Sequence, residues 1–191
     1  NELYYPGFGN SNLNPEEAAT LEAGYRWRDA NSLFSTNVFS SDVDNLIAYD
    51  AATGAPGNVN AATIQGLEFE LDTVIDAWKL GASLTLLSAE QKGGTYDGKD
   101  LPRRPGEFLE LRLDRTFISG SAGVSVFSAG STYDDLANTR TIKSYSTVDV
   151  RGAYHLNTSW HLVGKVGNLT DEDYEHASYY RQPGREFFVG I

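Results

Sequence analysis

Alternation is the strongest constraint on this chain. From Thr20 to Ile191, runs of roughly eight to ten residues place apolar and polar side chains on alternate positions, and the gaps between the runs are alternately short and long. Leu67, Phe69 and Leu71 fall on one side of a pleated strand and Glu68, Glu70 and Asp72 on the other, because successive side chains of a strand point to opposite faces. A short gap later, Trp78, Leu80, Ala82, Leu84 and Leu86 repeat the pattern, which makes the two runs a hairpin. Leu21–Trp27, Leu109–Leu113, Val148–Tyr154 and Trp160–Val166 continue it, and further strands fall near 32–48, 118–131 and 184–191, giving nine in all. The register of the 32–48 run is ambiguous, since both of its faces mix apolar and polar residues.

The gaps have a direction. Those near 29–31, 74–77, 116–119 and 157–159 are tight, whereas those near 50–62, 91–106, 133–143 and 170–184 are long and rich in Gly, Pro, Asp and Asn. An all-β, antiparallel up-and-down meander with two unlike ends fits this rhythm, and an outer-membrane barrel has such ends: short periplasmic turns and long extracellular loops. Trp27, Trp78 and Trp160 near the short turns, and Tyr133, Tyr145 and Tyr174 near the long loops, are expected to form two interfacial girdles. A soluble β-sandwich also alternates, so the pattern alone leaves both architectures open.

Composition excludes some classes. No stretch approaches the roughly 18 consecutive apolar residues of a membrane-spanning helix. Cysteine is absent, which removes disulfides, thiolate metal sites and thiol nucleophiles together. The net charge of −11 argues against nucleic acid as a partner, and Asp42, Asp44, Asp134, Asp135, Asp171, Glu172 and Asp173 gather in gaps as a solvated rim or a cation-attracting mouth. No nucleophile elbow, phosphate loop or His-Glu-x-x-His pattern occurs, so no enzyme is expected. Tyr96–Asp100 and Asp42–Asn45 lack the spacing and distal glutamate of a calcium loop and read as solvated turns. His155, His161 and His176 read as hydrogen-bonding polar residues rather than metal ligands. The absence of a signal peptide suggests a mature fragment or one domain of a longer protein.

Specific strings then carry a resemblance. Leu3-Tyr4-Tyr5-Pro6-Gly7-Phe8-Gly9-Asn10-Ser11-Asn12-Leu13-Asn14-Pro15-Glu16 resembles the loop that leads into a descending strand in TonB-dependent outer-membrane receptors. Gly167-Asn168-Leu169-Thr170-Asp171-Glu172-Asp173-Tyr174, followed by Pro183-Gly184-Arg185-Glu186-Phe187, resembles the closing motif of the same family. Within it, Asp44–Asp50, Ile64–Glu68 and Leu101–Arg104 are most similar to the cobalamin (vitamin B12) receptors, although siderophore receptors share versions of the first two.

The resemblance implies that residues 1–191 are the C-terminal part of a 22-stranded transmembrane barrel in the bacterial outer membrane. The plug domain, the TonB box and the earlier strands would be absent, and the chain would stop short of the terminal aromatic residue that the family usually carries. Implied partners are cobalamin or an iron–siderophore ligand, outer-membrane lipid, TonB through the missing plug region, and the remaining barrel strands; no cofactor is implied. A passive porin or a soluble β-rich binding module is the alternative. Nine strands cannot close a large barrel, so other strands must cover both edges.

Two ligand-binding residues follow from the same likeness. Arg103, between Pro102 and Arg104, matches an arginine that contacts cobalamin, and a guanidinium suits charged, multi-donor recognition; a rim arginine paired with nearby acids is the alternative. Arg104 reads as structural. Tyr133 offers a stacking surface or a girdle ring, and Leu136 and Ala137 stand where the cobalamin receptors carry a ligand-contacting tyrosine.

Overall fold

Each alternating run forms a strand in the computed structural model, which describes residues 3–7, 9–50, 54–58 and 61–191. The strands are β1 (Glu17–Arg28), β2 (Ser32–Asp44), β3 (Ile47–Asp50), β4 (Ala55–Asn58), β5 (Ala61–Ile75), β6 (Trp78–Lys92), β7 (Glu107–Phe117) and β8 (Gly120–Ala129). There follow β9 (Thr132–Tyr133), β10 (Thr141–Ile142), β11 (Tyr145–His155), β12 (His161–Gly167), β13 (Glu175–Ala177), β14 (Tyr180–Arg181) and β15 (Glu186–Gly190). Nine of them make one sheet in the order β1-β2-β5-β6-β7-β8-β11-β12-β15, every neighbour antiparallel. The all-β, nine-stranded meander expected from the alternation is therefore the fold. The six short strands form three separate hairpins in the long loops.

Register resolves the face of β2. Trp27 pairs with Phe34 and Ala23 with Val38, and on the other side Phe34 pairs with Leu71 and Val38 with Leu67. Phe34 and Val38 therefore share the oily face, and Ser35, Asn37 and Phe39 lie on the other. The run does not extend to residue 48: Asn45 takes a left-handed φ of 55°, and the chain re-enters as β3.

The two faces exchange character along the strands. Toward the short turns, the outward face carries Trp78, Leu80, Leu84 and Leu86 on β6 and Leu67, Phe69, Leu71 and Ile75 on β5, while the inward face carries Glu68, Glu70, Asp72, Lys79 and Ser83. Toward the long loops the outward face turns polar: Gln65 Nε2 donates to Ser40 Oγ at 3.2 Å, Thr63 Oγ1 donates to Asp42 Oδ1 at 2.9 Å, and Lys92 pairs with Glu90 at 2.9 Å. The inward face there turns apolar, and Val43, Leu46, Ala62, Ala89 and Leu101 make the buried cluster, with Ile64 and Leu87 packed against it. From Trp78 to Leu86 the outward apolar stretch runs about 26 Å along the strand, or about 20 Å at a tilt near 40°, comparable to the lipid-facing band of a membrane barrel. No helix among the described residues is long and apolar enough to cross a membrane.

Ion pairs run along the inward face in rows that skip a strand. Asp72 on β5, Gly81 on β6 and Arg112 on β7 share one row, and Arg112 reaches Asp72 at 3.3 Å over the glycine. Asp114 on β7, Gly123 on β8 and Arg151 on β11 repeat the device, with Arg151 donating to both carboxylate oxygens at 2.9 and 2.6 Å. A Cβ at residue 81 would lie 2.7 Å from Arg112 Nε, and one at residue 123 would collide with Asp114 Oδ1. Lys165 pairs with Asp149 at 2.7 Å further along the wall.

One expected girdle is corrected by the register. Tyr145 pairs with Ala129 on the inward face, where its ring stacks on Tyr174 at 4.1 Å and its hydroxyl meets His176 Nε2 at 2.9 Å. These rings belong to the interior wall rather than to a lipid interface. Trp27, Trp78 and Trp160 do stand exposed near the short turns.

Candidate functional site

The long loops are tied into two bodies with a cavity between them. In the first, the segment before β1 grips the β3–β4 hairpin: Asn10 Nδ2 donates to the Pro56 carbonyl at 3.1 Å, Asn58 Nδ2 donates to the carbonyls of Asn14 and Asn45, and the Ile47 amide donates to Glu16. Asn10, the backbone of Asn14 and Glu16 of the opening motif therefore fasten the hairpin.

The second body joins the 93–106 loop to the 130–144 loop. The first of these folds back along β6, with the Leu101 amide donating to the Ala89 carbonyl at 2.8 Å, and Leu101 is only 1% exposed. Gln91, itself buried, donates from Nε2 to the carbonyls of Asp100 (3.1 Å) and Leu136 (2.8 Å), and so bridges the two loops. Asn138 closes the junction again, accepting from the Asp100 amide and donating to the Asp100 carbonyl. Asp97 accepts from the Gly93 amide at 2.6 Å, so it caps a turn.

Arg103 and Tyr133 meet at this junction through their backbones. The Arg103 amide donates to the Tyr133 carbonyl at 2.7 Å, and Arg103 holds a left-handed φ of 58°, a conformation that costs a residue with a Cβ and is sustained here by surrounding bonds. Its guanidinium Nε donates to Asp134 Oδ1 at 2.7 Å, and Arg140 reaches Asp134 Oδ2 at 3.2 Å, so one carboxylate, 5% exposed, holds two arginines. Burial works against ionisation of Asp134, but the hydrogen bonds from Arg103 and Ser178 and the Arg103 charge outweigh it and keep the carboxyl below its ordinary range.

Between the two bodies lies a cavity of about 630 Å³. The β3 side contributes Ile47 and Tyr49, and the opposite wall contributes Arg103, Arg104, Leu136 and Arg140, with Tyr96 and Tyr180 also on the lining. Arg104 differs from its neighbour: it is half-buried and has no ion-pair partner among the described residues, and burial lowers its pKa while the charge of Glu16 opposes that effect. The Tyr133 ring is not part of this lining, although Asp134 beside it is. Sequence reasoning places the arginines at the rim; it does not tell which of them Asp134 claims.

The closing motif is also architectural. Asn168 is buried, takes a φ of 47°, accepts from the Glu172 amide at 2.9 Å and donates back to the Glu172 carbonyl at 2.9 Å. Asp171 accepts from the Arg185 amide at 2.8 Å across the loop, and a Cβ on Gly184 would lie 2.8 Å from that same Asp171 oxygen.

A nine-stranded sheet with an oily outward band, a charged inward wall and a loop-built cavity at one rim is a section of a large β-barrel. Residues 1–169 match the family described as TonB dependent receptor-like, beta-barrel, and the chain belongs to that family. It is 30% identical over 196 residues to the vitamin B12 transporter BtuB of Photobacterium profundum, covering 99% of this chain and 32% of the relative. It is likewise 30% identical over 207 residues to BtuB of Vibrio vulnificus, covering 100% of this chain and 32% of the relative. The chain thus spans about a third of the length of these relatives. Among solved structures, the siderophore receptor PiuA of Acinetobacter baumannii superposes with a TM-score of 0.79 at 24% identity, over 93% of this chain and 28% of that one. The copper transporter OprC gives 0.79 at 22% identity, over 98% and 33%. These structures share the fold.

Proposed function

We propose that residues 1–191 form the C-terminal part of the barrel of a TonB-dependent outer-membrane transporter that takes up cobalamin, with the ligand received at the rim cavity. The observation that carries this reading is the likeness to vitamin B12 transporters along the whole chain, which includes the cavity-lining loops. The exchange of polar and apolar faces supports a position in the membrane with the long loops outside, because an oily outward band ending in polar outward residues matches a lipid slab and its aqueous margin. The remaining strands, a plug and TonB are partners on this reading; β1 and β15 are the outer strands of the sheet, and lipid tolerates no open strand edge.

Arg103 and Arg104 are the proposed ligand-facing cations, and Tyr133 acts through the backbone bond that positions Arg103. Binding of cyanocobalamin to the full-length receptor in detergent, followed by calorimetry for wild type, Arg103→Ala and Arg104→Ala, tests the assignment. Each truncation is expected to weaken binding by about 1–3 kcal/mol, the cost of losing a charged hydrogen bond. A wild type that ignores cyanocobalamin and binds a ferric siderophore would favour the second reading, for which the absence of a tyrosine at Leu136 and Ala137 speaks.

A further inference from the structure

Arg115 is an anomaly on the oily face. Its register partners are Trp78 on β6 and Ala122 on β8, which puts it outward together with Leu109, Leu111, Leu113 and Phe117 of its own strand. Between the Val38–Leu67–Leu86 row and the short turns it is the one charged side chain at an outward-facing position of the nine strands, among the described residues. The inward arginines of the same wall, Arg112 and Arg151, each hold a carboxylate. Arg115 holds none within 4 Å among the described residues; its guanidinium carbon instead lies 4.9 Å from the Trp78 ring centroid and 5.1 Å from that of Phe117.

That geometry leaves the donors of the guanidinium free for an anion. Aromatic rings attract a guanidinium through their negative faces, but they take none of its five in-plane N–H donors in a conventional hydrogen bond. Trp78 belongs to the layer of exposed aromatic rings near the short turns, and such rings settle at headgroup depth. A planar fork at that depth meets phosphate oxygens, which it can bind with two parallel bonds.

We propose that Arg115, clamped between Trp78 and Phe117, is a binding site for the phosphate of a phospholipid in the inner leaflet, the one facing the short turns. The proposal rests on the membrane placement given above. It makes Trp78 and Phe117 positioning residues, whose rings hold the guanidinium at the level where the headgroup lies.

The test uses the full-length protein, extracted in mild detergent and titrated with phosphatidylglycerol, with bound lipid counted by native mass spectrometry. Wild type is expected to retain lipid at least about tenfold more strongly than Arg115→Gln, the loss of one charged contact, with Arg115→Lys between them because an ammonium lacks the fork. Trp78→Leu, which keeps the charge and removes a ring of the clamp, should also lose retention and serves if the glutamine variant fails to fold. Equal retention by wild type, Arg115→Gln and Trp78→Leu overturns the site. Membrane placement is read separately, by insertion of the wild type into vesicles of phosphatidylethanolamine and phosphatidylglycerol. Failure to insert overturns both claims, whereas insertion without a difference between variants overturns the lipid site alone.

Discussion

Gly81 and Gly123 are small residues with a long reach. Each sits in the middle of a three-strand row, and the missing side chain lets an arginine cross to a carboxylate two strands away. Alternation marks both positions as inward-facing, yet nothing local distinguishes them from glycines that merely weaken a strand. Replacing Gly123 by Ala should cost about 1–3 kcal/mol, the range for forcing a methyl group into an occupied space, because the Asp114–Arg151 pair must separate or shift. The midpoint of urea unfolding of the full-length protein in lipid vesicles measures it. The same change at Gly57, where a Cβ meets nothing within 4 Å, is the control and should be close to neutral.

At the scale of elements, the 93–106 and 130–144 loops behave as one body because Gln91, Asn138 and Asp134 each bond across the junction. Asp134, which holds Arg103 and Arg140, gives this junction its pH dependence. Its folded-state pKa lies below the ordinary carboxylate value, so its contribution is complete above that value and disappears as the pH falls through the depressed one. Acidification from pH 7 to pH 5 should therefore leave the Asp134–arginine junction intact, with its loss confined to the region below about pH 4. Amide hydrogen exchange of the two loops, corrected for intrinsic rates, checks the window; protection lost already near pH 6 would contradict it. The length of these loops was plain from their Gly, Pro, Asp and Asn content. Their internal pairing was not, because it depends on partners such as Gln91 and Leu136 that lie 45 residues apart.

For the molecule as a whole, the decisive feature is a sheet whose outward surface is oily over a band and polar above it. Substituting Leu111, exposed in the centre of that band, by Arg should cost about 2–4 kcal/mol of folding in lipid vesicles, the depth-dependent penalty for a cation facing hydrocarbon. The same change at Ser88, outward but beyond the band, should cost about 0–1 kcal/mol, since that position meets headgroups or water. Equal effects at the two sites would refute the placement of the band.

The sequence by itself determined the nine strands, their antiparallel order and the unlike ends of the sheet, because a period of two residues and the turn chemistry of the gaps are local properties. It also carried the family, through motifs whose asparagines, aspartates and glycines turn out to fasten loops. Tertiary structure alone decided the face of β2, the inward stacking of Tyr145 and the pairing of Arg103 with Asp134. It also left Arg104 without an ion-pair partner among the described residues and set the aromatic clamp on Arg115. Each of these depends on which residue of a distant strand or loop arrives opposite, a matter of register and loop docking that no periodicity within one segment can encode.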